Sequence, residues 1–269
     1  MRKNLLDIIK EFDINPQEEI YKIEYLFAIK KVSGSSTIEN IIEKSYFLKW
    51  AYRNTCLTIQ EFRIKANLPI PHDESTYLNS DITMMLTYFE FIFNMLYLVN
   101  LSNHHFLIDP MKTIGANIHF ILDKLNYKMH ATEEGFHLII KKSEEVTAVI
   151  ENYPDISEEV IEYNRFSLSG NLKRKRELLS TLANKFEAIR GNLIANCQND
   201  LTKDIGTILN GLNIRHNNQN NDFVKSLSNE EIENWYDRAY DTILLALMQN
   251  KYIEYKSEIK DLRIALKKK

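Results

Sequence analysis

Glycine and proline are scarce in this chain, with seven and five in 269 residues. Sheet-rich domains and nucleotide-binding loops draw on both for positive-φ turns and close backbone approach, so the shortage argues against either. The phosphate cradles G-x-x-x-x-G-K-S/T and G-x-G-x-x-G are absent, as are H-E-x-x-H, C-x-x-C and G-x-S-x-G. Cysteine is limited to Cys56 and Cys197, far apart and outside metal-ligand spacing. That excludes a secreted disulfide scaffold and fits two reduced thiols in a cytoplasmic protein. Neither sign of charge dominates: 34 Lys and Arg against 37 Asp and Glu give a net charge of −3. Nothing in that balance draws the whole chain to nucleic acid or an anionic membrane, so any nucleic-acid role needs a local basic patch. Met1-Arg2-Lys3-Asn4-Leu5-Leu6-Asp7 leads into no long apolar run or small-residue cleavage site, so no secretory signal is expected.

One apolar run has about the length that spans a bilayer, Ile82 to Leu101. Glu90 and Asn94 stand near its middle, and an ionised carboxylate there costs roughly 2.5–3.5 kcal/mol. Its flanks, Asn79-Ser80-Asp81 and Ser102-Asn103-His104-His105, carry no Lys or Arg anchors. The run therefore reads as the central helix of a globular bundle, with no membrane span.

Helix punctuation is what the sequence has in abundance. Asn15-Pro16-Gln17-Glu18 supplies an N-cap, a proline at the first turn and acid beside the dipole. Thr58-Ile59-Gln60-Glu61 and Ser228-Asn229-Glu230-Glu231 read as capping boxes. With apolar residues at helical spacing between such signals, the pattern predicts an all-α fold, predominantly a helical bundle. The expected helices are 3–12, 16–31, 37–53, 58–66, 81–103, 110–125, 142–152, 156–168, 171–190, 192–213, 229–249 and 252–267. Strands are expected only near 126–141, where Tyr127 to His130 and Phe136 to Ile140 flank a Thr132-Glu133-Glu134-Gly135 turn. Pro154 marks a division into a helical region 1–153 and a bundle 154–269.

Among the seven histidines, His130 and His137 lie across that hairpin, but no acidic or thiol ligand at telling spacing joins them. No metal and no cofactor is expected. The densest basic run is Lys173-Arg174-Lys175-Arg176, at the first turns of a predicted helix, where cations oppose the dipole unless an anion is bound. It reads as a phosphate or nucleic-acid contact, or as a solvated face paired with Glu158, Glu162 or Glu177.

The stretch from Leu209 to Asp222 ends an amphipathic helix in a polar cluster, with Arg215 and His216 side by side before Asn217, Asn218, Asn220 and Asn221. Arginine can hold a phosphate bidentately and histidine can move a proton near neutral pH. The alternative is a long Asn-rich loop in which Arg215 and His216 cap the preceding carbonyls.

An Arg-His pair at the end of one helix and before another, within a helical bundle, resembles the HEPN superfamily over roughly 155–250. Many members are metal-independent ribonucleases of abortive-infection and other phage-defence systems. Their motif is Arg, a polar residue, then a His about four to six residues after the Arg. Arg215 and His216 match the first two positions. Gln219, Asn220, Asn221 and Asp222 stand where the third belongs, and no His follows His216. The resemblance implies RNA as partner, a homodimer, and a site in which Arg215 holds phosphate while Asn217 and Asn220 orient the ribose. It implies Lys173 to Arg176 as a backbone track. Either His216 takes over proton transfer, or the domain binds without cutting. The rival expectation is a non-catalytic helical interaction module, such as an adaptor, a sensor or an antitoxin-like partner, acting on a partner protein.

Overall fold

The computed structural model describes residues 13–76, 78, 80–215 and 222–267. The helix expected over 3–12 lies outside them. Among them are eleven α-helices, several short 3-10 turns and one two-stranded antiparallel sheet, so the fold is predominantly helical with a short hairpin, as the pattern predicts. The chain packs as two compact units, the first ending at Ile140 and the second beginning at Lys141. Among the described residues, no helix is long and apolar enough to cross a membrane.

In the first unit, α1 (Pro16–Glu24) starts under Asn15, whose side chain accepts from the Gln17 and Glu18 amides, and it continues as a π turn over Tyr25–Ile29. Helix α2 (Ile38–Ser45) opens with a Thr37/Asn40 capping box, and α3 (Ile59–Lys65) is capped by Thr58. The helix expected to run on to residue 53 stops at Ser45. Trp50 adopts an extended backbone between two 3-10 turns, and its ring meets Phe62 edge-on at 5.1 Å. Aromatic packing overrides helical continuity there. Helix α4 (Ile82–Tyr97) is the apolar run, and it buries every side chain from Tyr88 to Leu96. Helix α5 (Ile108–Lys124) leads into β1 (Tyr127–Ala131) and β2 (His137–Lys141).

The two polar residues of α4 serve that hairpin. Asn94 accepts from the His137 amide at 2.9 Å and donates to the His137 carbonyl at 2.8 Å, while the Glu90 carboxylate accepts from the Ile139 amide at 2.8 Å. Buried backbone groups of β2 that β1 does not pair are thus satisfied by a helix.

The second unit holds α6 (Glu144–Asn152), α7 (Ser157–Tyr163), α8 (Leu172–Ala195), α9 (Asn199–Gly211), α10 (Asp222–Ser226) and α11 (Asn229–Lys267). Val146 and Val149 of α6 join its core with Leu179, Leu182, Phe186, Leu209, Ile243 and Leu247. Helix α6 thus packs with the helices that follow Pro154, although the sequence division placed it before them. Helix α8 runs on to Ala195, where Cys197 takes a positive φ and the Gln198 amide closes back on the Leu193 carbonyl. A single helix of 39 residues replaces the two expected over 229–249 and 252–267. No glycine or proline interrupts it, and Asn250 is held in mid-helix by Asn192 at 2.8 Å and by the Tyr153 hydroxyl at 3.2 Å.

Candidate functional site

Helix α9 ends in a way that aims the next residue. Asn213 sits in the left-handed region at φ 56°, and the Ile214 amide returns to the Leu209 carbonyl at 3.0 Å. This is a Schellman closure, with Ile214 buried against the core. Arg215 follows, and its guanidinium turns onto α8, where it forms an ion pair with Glu187. The same carboxylate takes Arg190 from one turn further along, at 3.3 Å. Two guanidinium charges meet one carboxylate at this corner. The Nε atoms of Arg190 and Arg215 are both buried with no hydrogen-bond partner among the described residues. Burial lowers Arg215 from the ordinary guanidinium value, the direction expected of a cation withdrawn from water.

The carbonyl capping that the sequence allowed for Arg215 is supplied by Arg176. Its Nε donates to the Asn213 carbonyl at 3.1 Å, so α8 contributes a second arginine to the α9 terminus. Arg176 and Glu187 lie about three turns apart on one face of α8. His216, Asn217 and Asn220 lie outside the described residues.

The basic run does not act as one patch. Lys173 is exposed. Arg174 is bound by both oxygens of Glu162 at 2.6 Å and by Glu177 at 3.1 Å. Lys175 is buried, its ammonium 2.6 Å from Asp237 and 2.9 Å from Glu233, over the face of Tyr163. Glu233 also accepts from the Gly170 amide at 2.8 Å, and Asn171 caps the Arg174 amide at 3.1 Å. Carboxylates from α7 and α11 therefore supply the negative charge that the α8 N-terminus needs. Of the four residues, Arg176 alone is brought to the turn that precedes residue 216.

In the first unit, His137 has a buried Nδ1 without a hydrogen-bond partner among the described residues, and its ring lies tilted by 38° against Tyr97 at 3.8 Å. Burial and the nearby His130 both lower its pKa. Among the described residues, no group of three or more His, Cys, Asp and Glu side chains is placed to hold a metal ion.

Glu187 and Arg190 went unnoticed in the sequence, where an acid and a base three residues apart on a helix read as an ordinary surface pair. Only the return of Arg215 onto that pair gives it an excess of positive charge. Set against known proteins, the chain is matched by no protein-family model, no curated protein and no solved structure.

Proposed function

We propose that the second unit is a HEPN-like RNA-binding domain of the phage-defence kind, which holds a backbone phosphate between Arg215 and Arg190. The observation that carries this reading is the charge imbalance at Glu187: among the described residues two guanidinium groups share one carboxylate, and each keeps a buried Nε donor unpaired. The Arg190 and Arg215 side chains keep 40% and 19% of their exposure, and a phosphate that reaches their accessible guanidinium N–H groups gains charge-assisted hydrogen bonds. In this reading Arg176 steadies the α9 terminus, His216 transfers the proton in any metal-independent cleavage, and Asn217 and Asn220 orient the ribose.

The test is fluorescence anisotropy of a labelled structured RNA at two salt concentrations, with chelator present, alongside a cleavage assay under the same conditions. Wild-type protein is expected to bind with an affinity that falls as salt rises. Arg215→Ala is expected to weaken binding about ten-fold or more, the loss of a charge-assisted pair, without changing far-UV circular dichroism. Equal binding by wild type and Arg215→Ala sinks the reading. Binding without cleavage keeps the phosphate site and removes the nuclease.

A second reading, a helical interaction module without chemistry, is favoured by a separate observation. The last part of α11, residues 251–267, exposes Tyr252, Tyr255, Ile259, Leu262, Ile264 and Leu266.

A further inference from the structure

Helix α11 leaves its own bundle after Asn250. Met248 and Ile253 still pack on the second unit's core, but from there to Lys267 the described side chains are exposed, over about 20 Å of helix. Such an extension normally carries polar residues all round. This one carries Tyr252, Tyr255, Ile259, Leu262 and Leu266, which continue a row begun inside the bundle by Leu245 and Met248, in alternating steps of three and four. That is the a and d pattern of a coiled coil sustained for three heptads. Leu262 is 58% exposed and Leu266 64%, so nothing among the described residues covers the seam's outer half. Ile264 stands apart from it.

We infer that this seam is covered by the same segment of a second copy of the chain, running antiparallel about a two-fold axis near residue 254. The flanking charges select both the occupant and its direction. With Leu245 in an a position, Lys251 and Glu258 fall at g, and Gln249, Lys256 and Arg263 at e. In a parallel pair each g residue faces the following e residue of the other helix. Lys251 then opposes Lys256, and the repulsion cancels the Glu258 to Arg263 attraction. In an antiparallel pair g faces g and e faces e. Lys251 then meets Glu258 of the second copy, twice by symmetry, and Gln249 meets Lys256 without conflict. Three core layers are also matched in size, Tyr252 on Tyr255, Met248 on Ile259 and Leu245 on Leu262, while Leu266 falls opposite Asp241 at the end of the overlap. Self-complementary charge on a self-complementary apolar seam is what an isologous interface requires. Within one chain Lys251 pairs with Glu254 at 2.9 Å, which leaves Glu258 available for the second copy. This inference rests on α11 and is independent of the phosphate corner at Arg215.

The experiment is sedimentation equilibrium of the full chain across the micromolar range, with far-UV circular dichroism and thermal unfolding of each variant as a check on folding. Wild type is expected to be a dimer. The double variant Ile259→Asp with Leu262→Asp is expected to raise the dissociation constant at least about 100-fold while the second unit melts as before. Lys251→Glu and Glu258→Lys are each expected to weaken the dimer about ten-fold, and the two together to restore it. Arg215→Ala is expected to leave the dimer intact, so failure at the RNA site and failure here are separable. A monomeric wild type overturns the proposal and leaves the seam to a helix of another protein. A dimer indifferent to Ile259→Asp with Leu262→Asp overturns it as well. A dimer tightened by Lys251→Glu overturns the antiparallel alignment, because the parallel pairing turns that change into an attraction to Lys256.

Discussion

Each unit contains a buried cation between two carboxylates, and the two are built differently. In the first, Arg63 is 0% exposed and Glu24 1%. Its Nη1 donates to both Glu24 oxygens at 3.1 and 3.2 Å and to the Pro69 carbonyl at 2.5 Å, while its Nη2 lies 2.8 Å from Glu39. The Tyr88 hydroxyl donates to Glu24, and the rings of Phe27, Tyr88 and Phe91 surround the guanidinium. In the second unit Lys175 is also buried, at 7% side-chain exposure, but Glu233 and Asp237 remain in reach of water, at 21% and 44%. Those acids also have other donors, the Gly170 amide and the Tyr163 hydroxyl. Burial of the cation alone is therefore a poor guide to its importance. What counts is whether its partners stay solvated once it is gone.

The largest test of that contrast is Arg63→Met. It strands two carboxylates in an aromatic core and should cost about 3–5 kcal/mol, the range for breaking a buried pair from one side. The chain's two tryptophans allow the units to be followed separately, since Trp50 belongs to the first and Trp235 to the second. In a Trp235→Phe background, denaturant unfolding monitored at Trp50 should shift to a much lower midpoint. Lys175→Met, monitored at Trp235 in a Trp50→Phe background, should cost only about 1–2 kcal/mol, because water and the remaining donors serve Glu233 and Asp237. Equal losses for the two substitutions would break the comparison and imply that Asp237 is far less solvated than its exposure indicates.

The same contrast explains what could be read from the sequence. Local signals were legible: Asn15, Thr58 and Ser228 all cap the helices they precede, and the Ser228 box closes through Glu231 in both directions. The hairpin and the burial of α4 were also readable, being set by turn chemistry and by apolar runs. Long-range pairings were not. Nothing around Arg63 announces Glu24 or Glu39, which come from other helices. Glu90 and Asn94 argued against a membrane span but gave no hint of a strand more than forty residues on. The run Lys173 to Arg176 looked like one patch because sequence ignores direction. A helix turns each successive residue by about 100°, so Arg174 reaches Glu162, Lys175 points inward and Arg176 meets Asn213. At the candidate site, Arg215 was visible as a chemical group. Its partners Glu187 and Arg190 were not, since only the Schellman turn at Asn213 brings them together.

A third test sharpens the first half of the comparison through pH. Burial pushes the Glu39 carboxyl up to about 7, against the opposing pull of Arg63, with Glu24 adding like-charge repulsion. A carboxyl whose folded pKa lies above its ordinary value of 4.5 binds its proton more tightly in the folded state. Its contribution to stability is fully present below about 4.5 and is lost as pH rises through about 7. The first unit should accordingly lose stability across that window with a slope of at most about 1.4 kcal/mol per pH unit, the limit for one proton. Glu39→Gln carries a permanent neutral amide of similar shape, so it should flatten the slope at Trp50 while leaving the Trp235 profile of the second unit unchanged. A slope unaltered by Glu39→Gln would mean that Glu39 is ionised throughout, with Arg63 holding two charged carboxylates at once.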